Sequence, residues 1–102
     1  ESYIGYFTNF GDSACDLMPI VDFVKGEVVE LAKALGLPKE VIEKKPTAGL
    51  YAGQTDESEM GFTYGELDAA VRGQNDGEHK DLIERRHKTS AHKRALPPKF
   101  ER

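Results

Sequence analysis

A segment without helical or strand periodicity, residues 44–57, separates two parts of this chain that have helical patterns. It contains one proline, two glycines and two threonines, and it ends in Gln54-Thr55-Asp56-Glu57. Composition of this kind predicts a loop. Loops held by a rigid framework often carry binding groups, although a plain connector is the more common case. We therefore expect two helical segments joined by a polar loop.

Before the loop, five apolar residues recur at spacings of three and four, which places them on one face of a helix. They are Val21, Val24, Val28, Leu31 and Leu35. We predict a helix over residues 22–35, with Asp22 as its N-cap and Gly36 just past its end. A second, short helix is predicted over residues 38–44, because Pro38 suits a helix start.

Lys25 lies in the first turn of the predicted helix, at the edge of the apolar stripe. A cation at this end opposes the helix dipole, so the dipole does not account for it. Phosphate groups bind readily at helix N-termini, which makes Lys25 a candidate anion ligand. An ordinary exposed lysine is the alternative that the sequence alone favours.

After the loop, Thr63-Tyr64-Gly65-Glu66 has the pattern of a capping box and predicts a helix that Gly73 can close. Its expected inner face consists of Leu67, Ala70 and Val71. A highly charged helix then begins near Glu78 and closes at Ser90-Ala91-His92-Lys93-Arg94.

The first residues of the chain do not have a clear period. Residues 1–8 are apolar and aromatic around one leading acid, Glu1, and they could form a buried strand or the end of a helix. Asp12 and Asp16 lie in a turn-like segment, where carboxylates either cap backbone N–H groups or point into a site. Since no convincing strand follows residue 8, the chain is predicted to be mostly helical.

Composition and charge exclude several classes of protein. The length of 102 residues suits one small domain, and no apolar run is long enough to span a membrane. The single cysteine, Cys15, excludes an intramolecular disulfide framework and fits a reducing cytosol. The net charge of −4 argues against general nucleic-acid binding. Basic residues between His79 and Arg102 indicate either an anionic ligand near that end or a solvated helix face.

Candidate ligand groups are few. Three histidines without zinc-ligand spacing argue against a zinc site. Asp56, Glu57 and Glu59 could hold Mg²⁺ beside phosphate groups, or they could form a solvated acidic loop. The sequence has neither a Walker A motif nor a Gly-x-Gly-x-x-Gly motif. Residue patterns alone therefore predict a helical region with a polar loop that could bind an anion.

A series of short motifs, in a fixed order, is more specific than any one of them. The series includes Gly5-Tyr6-Phe7-Thr8, Gly11-Asp12, Pro19-Ile20, Leu35-Gly36-Leu37-Pro38, Pro46-Thr47-Ala48-Gly49-Leu50, Gly53-Gln54-Thr55-Asp56-Glu57 and Ser90-Ala91-His92-Lys93-Arg94. Over essentially the whole chain it resembles the ammonia-dependent NAD synthetase family. Glutamine-dependent synthetases share this domain, so the resemblance leaves the nitrogen source open.

The resemblance implies an α/β Rossmann-like ATP-pyrophosphatase fold, of the adenine nucleotide alpha hydrolase-like type. Residues 1–102 would be the mostly α-helical C-terminal part of a single NAD synthetase domain. The N-terminal half of that domain carries a Ser-Gly-Gly-x-Asp-Ser pyrophosphate loop, which this chain lacks. The family further implies a cytoplasmic homodimer without a nucleic-acid or membrane partner, and a mobile loop at about residues 48–62. Because the absent half would cover the apolar faces of these helices, we predict that the isolated monomer is marginally stable.

The resemblance also implies roles for individual residues, which are carried over by position. Lys25 and Thr47 would contact ATP. The residues that would contact deamido-NAD are Asn9, Asp16, His92 and Lys93, and Glu1 would bind Mg²⁺. The His92-Lys93 pair would reach its ligand across the dimer interface. Asn9 stands where many members have a lysine. Gly53 to Glu57 would form the hinge and tip of a lid, with Asp56 and Glu57 near the phosphates or the incoming ammonia.

The implied reaction is the ATP-dependent amidation of deamido-NAD with ammonia, which gives NAD, AMP and pyrophosphate through an acyl-adenylate. ATP and Mg²⁺ are the implied cofactors. Three alternatives remain open at this point: a non-catalytic helical interaction fragment, a glutamine-dependent member of the family, and a different ligase of the ATP-pyrophosphatase type.

Overall fold

A computed structural model describes residues 1–74 and 76–102 and divides them into two compact units. Unit 1 consists of residues 1–21 and 78–102, and unit 2 of residues 22–77. The described residues form helices, turns and irregular segments, with no strand among them. The mostly helical prediction is therefore confirmed for these ranges, and a strand over residues 1–8 is wrong.

Unit 2 contains four helices. They are α1 (Lys25–Ala34), α2 (Lys39–Ile42), α3 (Asp56–Met60) and α4 (Tyr64–Val71). Its buried apolar side chains come from the end of α3, from α4 and from the residue between them that precedes the α4 cap. These side chains are Met60, Phe62, Tyr64, Leu67 and Ala70. The core of unit 2 therefore lies around α3 and α4, and Val71, expected on the inner face, is 42% exposed.

The α1 helix begins three residues later than predicted. Its N-cap is Val24, so the prediction that Asp22 caps this helix is wrong. Val24 has no side-chain oxygen, and its own N–H donates to the Glu27 carboxylate at 2.9 Å. The next two N–H groups, those of Lys25 and Gly26, donate to the Asp68 carboxylate at 3.1 and 2.8 Å. A carboxylate from a distant helix thus does the work expected of a local cap.

The loop predicted to extend to about residue 62 contains the short helix α3. Thr55 caps it, because its hydroxyl accepts from the Ser58 N–H at 3.2 Å. The capping box predicted for α4 is confirmed, since Thr63 Oγ1 accepts from the Glu66 N–H at 3.2 Å and Glu66 Oε2 accepts from the Thr63 N–H at 2.9 Å. Two adjacent caps therefore organise residues 55–66.

Asp56 and Glu57 join α3 to α4. The buried Asp56 carboxylate accepts from the Tyr64 hydroxyl at 2.7 Å, and the Glu57 carboxylate accepts from the Tyr64 N–H at 2.8 Å. Both residues therefore hold the start of α4, whatever further role they have.

Replacing Tyr64 with phenylalanine removes the hydroxyl that donates to Asp56. We expect the free energy of unfolding to fall by roughly 1–3 kcal/mol, because a buried polar group loses a hydrogen bond. Urea unfolding of the full-length protein measures this, and Tyr51→Phe is the matched control because Tyr51 is 59% exposed. Equal stability of the two variants would contradict a stabilising role for this bond.

Glu27 makes the stability of unit 2 depend on pH. The Val24 N–H and, secondly, the Arg72 guanidinium at 3.2 Å hold the pKa of Glu27 below its ordinary value of 4.5. Because the folded-state pKa is the lower one, this stabilisation is present above the unfolded pKa and is lost as the pH falls through the folded value.

We expect Glu27→Gln to remove that part of the acid dependence of unfolding, measured by urea titrations between neutral and acidic pH. Glu30→Gln is the control, because Glu30 lies on the same helix and pairs with the exposed Lys33. If Glu27→Gln and wild type lose stability with the same pH profile, the proposed cause is wrong.

Unit 1 consists of irregular segments around one helix, α5 (Lys80–Thr89), with 3₁₀ turns at Ser2–Ile4 and Ala91–Arg94. Ile4 and Ile83 are its buried apolar residues. The Tyr3 ring stacks on the His87 ring at 3.9 Å between centroids, and His87 Nδ1 lies 2.8 Å from the Tyr3 carbonyl. Since a carbonyl only accepts, Nδ1 carries the proton of this bond.

Side chains of the second 3₁₀ turn donate hydrogen bonds to the first turn and to the residues that follow it. Arg94 Nη1 donates to the carbonyls of Ser2 and Tyr3 at 3.1 and 2.9 Å, and Nη2 donates to the His87 carbonyl at 2.5 Å. The Lys93 ammonium donates to the carbonyls of Gly5 and Phe7. In unit 1, the two ends of the sequence are thus held together by charge-assisted hydrogen bonds.

Candidate functional site

A groove of about 610 Å³ lies in unit 2. One part of its wall is apolar and comes from α1, α2 and the segment between them; it includes Val28, Val29, Leu37 and Val41. The other part is polar and charged, and it includes Lys25, Glu43, Lys44, Lys45, Thr47 and Glu57. Three lysines against two glutamates give this wall a small excess of positive charge. A groove with these two walls suits a ligand that combines an apolar ring with anionic groups.

Lys25, the first residue of α1, is half-buried at the groove. Its ammonium group lies 4.7 Å from the centroid of the Tyr64 ring, within the range of a cation–π interaction. The hypothesis that an anion binds the N–H groups at the start of this helix needs correction, because Asp68 accepts from them. An anion at this position would contact the ammonium group instead.

Thr47 lies on the loop that follows α2, and it is exposed. Its hydroxyl oxygen accepts from the Gly49 N–H at 3.0 Å, which leaves the hydroxyl proton out of that bond. The loop is closed at its base, where the Asp56 N–H donates to the Pro46 carbonyl at 2.9 Å. Within it, Gln54 Oε1 accepts from the Leu50 N–H at 2.7 Å. Thr47 therefore sits on a braced loop and can donate to a phosphate oxygen.

The structure thus brings Lys25, Thr47 and Glu57 to one groove, and these residues were singled out from the sequence. Asp56 is buried beside them and is not part of the groove wall. Tyr64 was noted in the sequence as part of the capping box, but neither Tyr64 nor Asp68 was predicted to hold Lys25. Their spacing of four on one helix does not say which element they face.

The remaining predicted residues belong to unit 1. Glu1 is exposed and lines a second cavity of about 360 Å³, together with Asp12 and Cys15. Asp16 and His92 are exposed. Their roles, like those of the residues in the groove, stay predictions.

Lys93 and Asn9, two further residues predicted to contact deamido-NAD, have distinct environments in unit 1. The Lys93 ammonium lies 4.6 Å from the Phe7 ring centroid, in addition to its two carbonyl acceptors. The side-chain oxygen of Asn9 is buried and has no hydrogen-bond partner among residues 1–74 and 76–102. A buried acceptor of this kind is suited to a donor from a ligand or a water molecule.

Within the described ranges, no three residues among the histidines, cysteines, aspartates and glutamates are grouped closely enough to hold a metal ion. A single carboxylate such as that of Glu1 is compatible with Mg²⁺, since this ion often takes one or two carboxylates together with substrate phosphates and water. No helix in the part of the chain that the structure describes is long and apolar enough to cross a membrane.

Comparison with known proteins gives a consistent result. A family model described as NAD synthase matches residues 1–97. The NH(3)-dependent NAD(+) synthetase of Finegoldia magna is 50% identical over 101 residues, which cover 99% of this chain and 42% of that protein. The synthetase of the same description from Alkaliphilus oremlandii is 55% identical over 100 residues, covering 96% of this chain and 40% of that protein.

A solved structure is also similar. The structure of NMN synthetase from Francisella tularensis superposes with a TM-score of 0.88 and 48% sequence identity. The match covers 98% of this chain and 43% of that one. The chain therefore spans about two fifths of the length of the proteins that it matches.

Proposed function

Because this chain belongs to the NAD synthase family, we propose that it is the C-terminal part of an enzyme that amidates deamido-NAD with ammonia and ATP. The observation that carries the proposal is that Lys25 and Thr47, the two residues expected to contact ATP, line the same groove. The names of the relatives favour free ammonia over glutamine as the nitrogen source. The whole enzyme would have the α/β Rossmann-like ATP-pyrophosphatase fold, with its pyrophosphate loop in the N-terminal half.

In the proposed reaction, a carboxylate oxygen of deamido-NAD attacks the α-phosphorus of ATP and pyrophosphate leaves. Ammonia then attacks the acyl carbon of the resulting acyl-adenylate. AMP departs with the oxygen that attacked, and the nitrogen loses a proton as the amide forms. Chemistry of this kind depends mainly on positioning and on neutralising charge.

The groove supplies both requirements. The Lys25 ammonium contributes a positive charge, and the Thr47 hydroxyl contributes a hydrogen-bond donor on a braced loop. The apolar wall from α1 and α2 can accept the adenine ring. Glu1, which belongs to unit 1 and does not line this groove, would hold Mg²⁺, an ion that neutralises phosphate charge when bound.

Residues 48–62 are proposed as a lid, with Gly53 to Glu57 as its hinge and tip. Because Asp56, Met60 and Phe62 are buried in unit 2, closure would move mainly the exposed residues 48–53. An acyl-adenylate reacts with water, so the enzyme must cover it. Leu50 and Tyr51 support this proposal, because they are 76% and 59% exposed and could pack on a bound ligand. Asp56 and Glu57 would then lie near the phosphates or the incoming ammonia.

The deamido-NAD contacts are assigned to unit 1. The exposed Asp16 and His92 are accessible to a ligand, and the buried oxygen of Asn9 could accept a hydrogen bond from it. Lys93 uses two of its three N–H donors on Gly5 and Phe7, which leaves one for the ligand. We propose that His92 and Lys93 act across the interface of a cytoplasmic homodimer.

A second candidate follows from the similarity to NMN synthetase, in which the substrate would be the deamidated mononucleotide. The full-length protein, supplied with ATP, Mg²⁺ and ammonium, should be assayed with deamido-NAD and with the mononucleotide. We expect kcat/KM to favour deamido-NAD by about tenfold or more, the effect of one further set of contacts worth 1.4 kcal/mol. A preference for the mononucleotide would replace this proposal by the second candidate.

A further inference from the structure

One face of α4 holds the first turn of α1. Tyr64, Asp68 and Arg72 are spaced four residues apart, so they lie along one side of the helix. The Tyr64 ring lies 4.7 Å from the Lys25 ammonium, and Asp68 accepts from the N–H groups of Lys25 and Gly26. Arg72 pairs with Glu27 at 3.2 Å. Two turns of α4 and its C-cap residue, Arg72, therefore engage three successive residues of α1.

Asp68 fixes the backbone of Lys25. The N-cap Val24 cannot supply a side-chain acceptor, so the first N–H groups of α1 depend on acceptors from elsewhere. The two oxygens of Asp68 accept at 3.1 and 2.8 Å, and its negative charge lies at the positive end of the helix dipole. Loss of the carboxylate would let the first turn unwind and move the Cα atom of Lys25.

Tyr64 fixes the other end of the same side chain. Its buried ring faces the ammonium group, while its own hydroxyl and N–H donate to the carboxylates of Asp56 and Glu57. A ring held at both ends in this way cannot easily move away from the cation. Lys25 is therefore held in place both at its backbone N–H, by Asp68, and at its ammonium group, by Tyr64.

We propose that Asp68 and Tyr64 are positioning residues, which place the Lys25 ammonium where it meets the phosphate groups of ATP. This inference rests on the proposed function, in which Lys25 contacts ATP. A pre-positioned charge stabilises a transition state without the cost of ordering a long side chain at the time of reaction. Asp68 and Tyr64 need not touch the substrate themselves to have this effect.

The test uses the full-length protein and a double-mutant cycle of Asp68→Asn with Lys25→Ala. Asp68→Asn alone should lower kcat/KM for ATP by about tenfold, while KM for deamido-NAD stays within about twofold of wild type. In the Lys25→Ala background, Asp68→Asn should have almost no further effect, because the group that it positions is gone. Glu30→Gln, the same chemical change on the exposed side of α1, is the control and should have wild-type kinetics.

Tyr64 gives an independent measurement should Asp68→Asn fail to fold. Tyr64→Leu removes the ring that faces Lys25, whereas Tyr64→Phe keeps it. We expect Tyr64→Leu to have a kcat/KM for ATP about fivefold lower than that of Tyr64→Phe, since a cation–π contact of this kind is modest. Equal values for the two variants would overturn the role of the ring.

The outcomes separate the inference from the function on which it rests. If Lys25→Ala retains wild-type kinetics, the proposed role of Lys25 in ATP binding is wrong. If Lys25→Ala is impaired but Asp68→Asn is not, only the positioning role fails. The positioning role is also overturned if the losses of the two single variants multiply in the double mutant, because Asp68 would then act independently of Lys25.

Discussion

Replacing Lys25 with alanine is expected to lower kcat/KM for ATP by about tenfold or more in the full-length protein, since the loss of one positioned charge removes at least 1.4 kcal/mol of transition-state stabilisation. Lys25 lies at the groove, with its charge held over the Tyr64 ring. Steady-state kinetics at saturating deamido-NAD and ammonium would measure the effect. Lys25→Arg should restore only part of the loss, because a planar guanidinium does not replace a compact ammonium group.

Lys33→Ala provides the matched control for that experiment. Lys33 lies in the last turn of the same helix, and it pairs with Glu30 at 3.2 Å while more than half of its side chain is exposed. Its removal should leave kcat/KM for ATP within about twofold of wild type, as expected for a surface ion pair. Similar losses in the two variants would indicate a general effect of charge, and they would remove Lys25 from the proposed site.

Replacing Gly5 with alanine should destabilise the protein by about 2–5 kcal/mol. Gly5 has a φ of 71°, which L-residues rarely adopt, and a Cβ atom added there would lie 2.3 Å from Ser90 Cβ. The strained backbone and the steric overlap act together. Because the Gly5 carbonyl also accepts from Lys93, any shift of this turn would disturb the contact between the two ends of the sequence in unit 1.

Gly36→Ala separates the two causes. Gly36 has the same φ of 71°, but no atom lies within 4 Å of its added Cβ. It should cost only the backbone strain, about 1–2 kcal/mol. Chemical unfolding of both variants in the full-length protein would measure the difference. If Gly5→Ala costs no more than Gly36→Ala, the close packing of Gly5 against Ser90 does not contribute to stability.

The parts of the fold that could be predicted from sequence are those with local causes. The α4 capping box involves residues three apart, and the apolar period of α1 extends over several turns, so both are visible in the order of residues. The helix α3 was missed because five residues are too few for a period to appear. The start of α1 was misplaced because the carboxylate that accepts from its first N–H groups, that of Asp68, lies 42 residues from Gly26 in the sequence.

The same distinction between local and distant contacts applies to the candidate site. For the groove residues, the residue patterns alone predicted that Lys25 could bind an anion and that Glu57 could hold Mg²⁺, whereas the assignment of Thr47 came from the family resemblance. The structure adds that both residues line one groove and that Tyr64 and Asp68 hold Lys25. These contacts join α1 to α4, and neither helix carries a pattern that names its neighbour.

The most direct test of the proposed reaction follows oxygen from substrate to product. The full-length protein would be supplied with ATP, Mg²⁺, ammonium and deamido-NAD labelled with ¹⁸O in both carboxylate oxygens, and the products would be analysed by mass spectrometry. We expect NAD and AMP in equal amounts, with one labelled oxygen in each, because the oxygen that attacks the α-phosphorus leaves with AMP. Formation of ADP, label in pyrophosphate, or no NAD at all would contradict an ATP-dependent amidation through an acyl-adenylate.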